Sequence, residues 1–518
     1  MEIKTETSFK KNTKCADVYT ESQADYSLPD YLCDVRKILF TDASLRPSGR
    51  FSGGDEVEFS GIVVYSVVYL DSENKLSSAE FTSDYDYSVK CSSEDYLDSV
   101  SDTRVSNYSI RLVGPRRISA RSSLVGSVQI SENGYISVSG SAFDGESSPE
   151  ISTKSVKIRN SSLSTLLERE YAEEVATLEG AIADEVSVIY SSAEASVDSL
   201  EKSDESVNVK GKLRMLSVIR NGDEPAYRVE KTVGFEESVD FDGLRPDMQL
   251  SPRLTVTSLK SNVNPTESGC EVVLSGIVEF CILGERNDEA SLVLDGYLRS
   301  CSTENGYSDF SFTELVDCET VKGSHSAELD RADVESNSLH EIIFLTATPK
   351  IERIDKEDGR VNLIGEVRYS GVASEIIDGE ISYINLKFSS PFVTNVNVSC
   401  QNDEKIQVEA SVSAYNAGAT LDANRLYASC TLESCVTVCE VKSEKVLTTM
   451  AKTDGAEFST FAGITVYYPT ENDTLFSVAK RFHTSSLKVA RDNDISESVF
   501  ASDNPEGKLV GIKKLLIY

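Results

Sequence analysis

Apolar and polar residues alternate around a central glycine at five places along the chain. The pattern reads Val57, Phe59, Gly61, Val63, Tyr65, then Leu124, Gly126, Val128, Ile130, then Val207, Val209, Gly211, Leu213, Met215. It returns at Val272, Leu274, Gly276, Val278, Phe280 and at Val361, Leu363, Gly365, Val367, Tyr369. The intervening positions carry polar residues such as Asn208, Lys210, Lys212 and Arg214. Successive side chains of a strand point to opposite faces, so a period of two is what a half-buried strand requires. Each stretch is therefore expected to be a strand with one face on a core. The glycines are 65, 85, 65 and 89 residues apart, which makes the repeat a pair of strand-rich halves totalling about 150 residues. A sixth stretch is due near residue 430. Its best match is Ile406, Val408, Ala410, Val412, Ala414, so the last unit reads as shortened by roughly twenty residues. Turn signals at Ser52-Gly-Gly-Asp55, Asn221-Gly222, Asn305-Gly306 and Asp358-Gly359 separate the apolar runs.

Two segments keep a different period. Leu163, Leu166, Leu167, Tyr171, Val175, Leu178 and Ile182 have helical spacing, with Glu168, Glu170, Glu173 and Glu174 elsewhere on the surface, which predicts an amphipathic helix over 163–183 packed on its own domain. Near the C-terminus Leu475, Val478, Ala479 and Phe482 fall at i, i+3, i+4 and i+7. The expected architecture is mainly β. Three tandem strand-rich, β-sandwich-like units span 1–160, 187–325 and 326–445, a connecting helix lies at 161–186, and a linker at 446–463 leads to a small α+β (βααβ) module at 464–518.

A chain of 518 residues is too long for one core and suggests three or four domains. The net charge of -34 argues against binding nucleic acid, because a polyanion needs lysine and arginine to displace its counterions, and it favours basic partners. Residues 464–518 hold seven basic and seven acidic residues, so the excess resides entirely in 1–463. The first ten residues lack the apolar stretch of a secretory signal. The purest apolar run, Gly61 to Leu70, is far shorter than the ~20 residues that span a bilayer as a helix. The expectation is a protein kept on the cytoplasmic side without membrane insertion, and eleven scattered cysteines fit a reducing compartment.

Candidate chemistry is sparse. The histidines are His325, His340 and His483, and no pair has metal-ligand spacing. No nucleophile has an evident base, so acid–base and triad mechanisms find little to use, and no cofactor is expected. Cys430, Cys435 and Cys439 lack the spacing of a zinc knuckle and read as buried strand cysteines rather than metal ligands. The basic island Arg111, Arg116, Arg117, Arg121 either pairs with the chain's own acidic surface or faces an acidic partner.

The tail resembles a LysM module, the small βααβ carbohydrate-binding fold. Ile464-Thr-Val-Tyr467 reads as its first strand, Asp473-Thr-Leu475 as the start of helix one and Val478-Ala479 as its Ile-Ala position. Asn493 matches the asparagine after helix two, and Gly511-Ile-Lys-Lys-Leu-Leu-Ile517 the closing strand. The family usually has glycine where Asn472 stands, and the loop from Ile495 to Leu509 is long. The resemblance implies a shallow groove for N-acetylglucosamine chains at Asn472, Asp473, Thr474, Leu475, Val510 and Gly511. Asp473 and Thr474 could equally serve only to cap the helix. The strand units, with Leu28-Pro-Asp-Tyr31, Gly61-Ile-Val-Val-Tyr-Ser-Val-Val-Tyr-Leu-Asp71 and Arg111-Leu-Val-Gly-Pro-Arg-Arg-Ile-Ser-Ala-Arg121, resemble the SPOCS domains (DUF3794) of clostridial spore-coat morphogenetic proteins. That resemblance implies a non-enzymatic assembly protein made in the mother cell and deposited on the forespore surface or spore coat. Its partners would be coat-foundation proteins and peptidoglycan or another N-acetylglucosamine-containing glycan. The rival reading is a wall-associated peptidoglycan-binding surface protein.

Overall fold

The computed structural model describes residues 5–14, 17–53, 56–90, 96–143, 149–330, 338–401, 404–422, 425–453, 463–495, 508–509 and 511–518. It is mainly β, with several separate antiparallel sheets. The first block of strands comprises β1 (Thr5–Lys14), β2 (Val18–Ser27), β3 (Val35–Gly53), β4 (Glu56–Asp71), β5 (Leu76–Lys90), β6 (Tyr96–Gly114) and β7 (Arg117–Val138). In one sheet β7 lies between β6 on one side and β1 and β2, end to end, on the other; β3, β4 and β5 form a second sheet. The same order recurs in β8 (Glu150–Leu163), β9 (Leu167–Glu179), β10 (Val186–Lys202), β11 (Ser206–Asn221), β12 (Tyr227–Asp240), β13 (Gln249–Thr266) and β14 (Gly269–Tyr297). It recurs again in β15 (Thr303–Asp330), β16 (Leu339–Glu357), β17 (Arg360–Ile377), β18 (Glu380–Asn397), β19 (Ile406–Leu421) and β20 (Arg425–Lys452), where the single long β15 takes the place of the split pair. Each block packs its two sheets around its own core.

The glycines mark the central strands. Gly61, Gly211 and Gly365 stand opposite Tyr85, Phe235 and Phe392, and on the other side a β-bulge falls in β3, β10 and β16 at the same place. The bulge pushes a carbonyl inward while the aromatic ring folds over the glycine. A Cβ at Gly211 would overlap both the Ser196 carbonyl and the Phe235 ring, so the close approach requires glycine.

Several expected boundaries are corrected by the pairing. The predicted helix over 163–183 is strand β9, because Leu167, Tyr171 and Val175 recur every four residues, a spacing common to both periods, and all three pack on the second core. β8 pairs with β14, so the second block begins near 150 rather than at 187 and takes in the segment expected to be a connecting helix. β15 pairs with β20, so the third begins at 303 rather than 326 and runs to Lys452. That block is not shortened. Its central strand is β20, whose core-facing Leu426, Ala428, Cys430 and Leu432 contain no glycine to mark it, and Ile406–Ala414 lies instead in the edge strand β19.

A second set of bulges joins the blocks. The register shifts at Ile38/Phe40, Val188/Tyr190 and Ile342/Phe344 turn Phe40, Tyr190 and Phe344 out of their own sandwiches. Their ring centroids meet at 5.3, 4.9 and 4.4 Å, with Leu39, Ile189, Ile343, Val68, Val218 and Val372 buried around them. Elsewhere Arg159 of β8 donates to the buried Glu285 of β14 at 2.9 Å and reaches Glu409 of β19 at 3.1 Å. The end of β7 is bonded to β20, with Ser139 N donating to the Thr448 carbonyl at 3.1 Å and Met450 N to the Ser139 carbonyl at 2.9 Å. Phe344→Ala is expected to cost about 3–5 kcal/mol, the range for a fully buried aromatic, read as a lowered denaturant midpoint. Phe51→Ala, 69% exposed, should change stability by less than about 0.5 kcal/mol.

Candidate functional site

The last described segment runs strand, helix, helix, strand: β21 (Thr465–Tyr467), α1 (Leu475–Arg481), α2 (Ser486–Asp492) and β22 (Leu515–Ile517). β21 and β22 pair antiparallel, Thr465 opposite Ile517 and Tyr467 opposite Leu515. Leu475, Val478, Ala479, Val489, Leu509, Leu515 and Ile517 form the core between helices and strands, the apolar face that the helical spacing predicts. Asn493 closes α2 and ties it to the last strand: its Nδ2 donates to the carbonyls of Val489 (2.9 Å) and Leu516 (2.7 Å), and its Oδ1 accepts from Leu516 N (2.6 Å).

The start of α1 is fully engaged. Thr474 Oγ1 accepts from Ser477 N at 3.0 Å and Ser477 Oγ accepts from Thr474 N at 2.9 Å, a reciprocal cap that satisfies two free donors of the first turn. Asp473 is 7% exposed, and its Oδ2 accepts from Thr470 N (2.7 Å), Tyr467 Oη (2.8 Å) and Thr470 Oγ1 (2.9 Å). The backbone hydrogen bond from Thr470 chiefly, with those side-chain donors and the nearby Arg481 charge, holds its carboxyl below the usual carboxylate range.

Of the six residues expected at the groove, Asn472 and Gly511 are exposed, Gly511 with φ +83°, and Thr474 is half-buried. Asp473 is spent on the turn, and the Leu475 side chain, 1% exposed, points into the core; Val510 lies outside the described residues. The two loops are nevertheless brought together. Leu509 N donates to the Asp473 carbonyl at 3.0 Å, and Thr474 bridges to Lys508. Lys508, Tyr467 and Thr470 are the neighbours that the sequence reading missed; Tyr467 could have been found as the inward-facing member of the first strand.

The module is also seated on the end of β14, which no local signal announces. Tyr297 Oη donates to the Thr484 carbonyl at 2.7 Å, its ring meets Phe476 edge-on at 5.2 Å, and Lys480 pairs with Asp295 at 2.5 Å. His483, expected at the end of α1, follows it with φ +48° and lies 3.5 Å from the Leu298 carbonyl through Nδ1.

Other candidate chemistry is dispersed by strand parity. Cys430 faces the third core, whereas Cys435 and Cys439 fall on the opposite face of β20. Hydrogen bonding from Cys318 chiefly, and from Thr320 and Ser251, holds the Cys435 thiol below its ordinary value. Among the described residues no group of three or more His, Cys, Asp or Glu side chains could hold a metal ion, and no helix is long and apolar enough to cross a membrane. Three arginines of the basic island have internal partners: Arg116 with Asp34 (2.8 Å), Arg117 with Asp25 (2.8 Å) and Arg121 with Glu21. No protein-family model, curated protein or solved structure matches the chain.

Two outcomes follow from this geometry. Because the Asp473 carboxyl is held below its ordinary value, its contribution to stability is present above about pH 4 and is lost as pH falls through the folded-state value. Asp473→Asn should abolish that pH dependence and weaken the module by about 1–2 kcal/mol, read by hydrogen exchange of the α1 amides between pH 3 and 6, a window set by the ordinary carboxylate range of about 4. Tyr297→Ala should lower exchange protection across α1 and α2 while leaving that of β10–β12 unchanged.

Proposed function

We propose that the chain is a non-enzymatic assembly protein of the spore envelope, built from three SPOCS-like strand units and localised by a LysM-like C-terminal module. The module binds peptidoglycan-type N-acetylglucosamine glycans or a coat protein. The observation that carries the reading is the direct bonding of the loop before α1 to the loop before β22 through Asp473, Thr474, Lys508 and Leu509. These are the two loops between which the resemblance puts the sugar. At their rim Asn472 offers an exposed amide, and the turn at Gly511 leaves open space where a side chain would otherwise stand. An extended glycan needs such a shallow, polar, open edge rather than an enclosed pocket.

The rest of the chain supports an assembly role. Its three blocks spend their apolar surface on one another, and its excess negative charge lies in the strand blocks, which suits a scaffold that recruits basic partners. On this reading the protein is made in the mother cell and deposited on the forespore surface. The module's attachment to β14 gives the scaffold a fixed end instead of a loosely tethered one.

Co-sedimentation with purified peptidoglycan tests the reading. The full-length protein should pellet, a 1–463 truncation should stay in the supernatant, and Asn472→Ala, which lies outside the capping network, should pellet several-fold less. If neither the full-length protein nor the truncation pellets, glycan binding is refuted and the module's ligand is a protein.

A further inference from the structure

The first block carries a basic sheet face on an otherwise acidic chain. The side chains of β2, β6 and β7 that point away from the first core lie in rows across the sheet. Ser27 aligns with Arg117 and Gly114, Asp25 with Ser119 and Arg111, Gln23 with Arg121 and Ser109, and Tyr19 with Val125 and Arg104. Arg104, Arg111, Arg117 and Arg121 are all exposed. Glu21 and Asp25 offset two of these charges and Asp102 stands at the far end of the same face, while Arg111 bonds only to the Ser109 hydroxyl, at 3.1 Å, among the described residues. The face is concave, a groove of about 550 Å³ lined by Gln23, Asn107, Ser109, Arg111 and Arg121 among others.

The matching sheet of the second block has the opposite character along β9, its cations Arg253 and Lys260 lying on β13 at the other side of β14. Leu167, Tyr171, Leu274, Val278 and Phe280 face the core, so the alternate residues Glu168, Glu170, Glu174 and Glu279 point outward. Glu168 stands directly opposite Glu279, and Glu170 opposite Ile277. Like charges directly opposite one another destabilise a strand pair, and burial together with the Glu168 charge pushes the Glu279 carboxyl up. Nothing within the described chain relieves that pair with a cation.

We propose that the basic face of the first block docks onto the acidic face of the second block in another copy of this chain. Both are antiparallel sheet faces, so their outward rows repeat every two residues, about 6.8 Å. Arg117, Arg111 and Arg121 stand on three successive rows, and Glu168 and Glu170, with Glu279 beside Glu168, on two. The arginines can therefore enter between the crowded carboxylates in register. The contact joins two different surfaces, so it is head-to-tail and builds open chains of molecules rather than closed dimers. The net charge of each molecule opposes the approach at long range, and the attraction acts inside the screening length, about 8 Å at about 0.15 M salt. This docking does not depend on the glycan reading, since its surfaces lie outside the C-terminal module.

Sedimentation velocity on the full chain decides it. The wild type should associate with rising concentration at about 0.15 M salt and dissociate at about 1 M, where the screening length falls to about 3 Å. Arg111→Ala/Arg121→Ala and Glu168→Gln/Glu170→Gln should each be monomeric alone, the first with an unchanged denaturation midpoint and the second with a midpoint no lower than that of the wild type, since it relieves the Glu168–Glu279 repulsion. An equimolar mixture of the two should form dimers that grow no further, because each variant retains one competent face. A wild type that stays monomeric, association that survives either double substitution, or a mixture that fails to dimerise overturns the proposal.

Discussion

The contact among Phe40, Tyr190 and Phe344 is the constraint on which the arrangement of the strand blocks rests. Each block already has a sandwich core, and the outer face of an antiparallel sheet is ordinarily polar. Here the outer faces of the three-stranded sheets are apolar and meet one another. The single-residue bulges make this possible, because each re-aims an aromatic side chain that regular pleating would leave on the wrong side. The apolar run from Gly61 to Leu70 has the same origin. Val63, Tyr65, Val67 and Tyr69 enter the first core, while Val68 and Leu70 enter the shared hub. A strand buried on both faces loses its polar alternation, so the run marks a join between blocks.

The C-terminal module obeys a different economy. Its helices are short, and neither would persist alone in water. They are held by a reciprocal cap at Thr474 and Ser477, by the Asn493 amide that bonds α2 to β22, and by Tyr297 of the second block, which completes the module's own core. Most of the polar groups around α1 are therefore committed to structure. What remains for a ligand is the exposed rim at Asn472 and Gly511.

Much of this was legible in the sequence, and the failures have physical causes. Glycine-centred alternation located five of the six central strands; in β4, β11 and β17 a ring folding over a bulge-facing glycine fixes both glycine and aromatic. β20 escaped because its inward positions are filled by Ala428, Cys430 and Leu432. β9 carries a helical signature as well as a strand's, because Leu167, Tyr171 and Val175 repeat at four and the glutamates between them suit either structure. Block boundaries were displaced because strands such as β8 and β15 pair with partners more than a hundred residues away, and pairing at that range leaves no local trace. Of the two expected caps of α1, Thr474 serves, since a cap is local, whereas the Asp473 carboxylate bonds back to Thr470 and Tyr467 and closes the preceding turn; the Leu475 side chain, assigned to the groove, is claimed by the core.

The bonds between Ser139 and the Thr448–Met450 edge join the first block to the last. A growing polypeptide leaves the ribosome from its N-terminus, and domains fold as they emerge. The first block can complete its sandwich early, yet the hub side of its sheet and the end of β7 must wait for strands of the second and third blocks, made later. Until then the nascent protein leaves two unfinished apolar borders exposed to water. A chain cut short before β20 should therefore be aggregation-prone rather than a smaller stable protein. The closed arrangement acts as a checkpoint on the integrity of the chain.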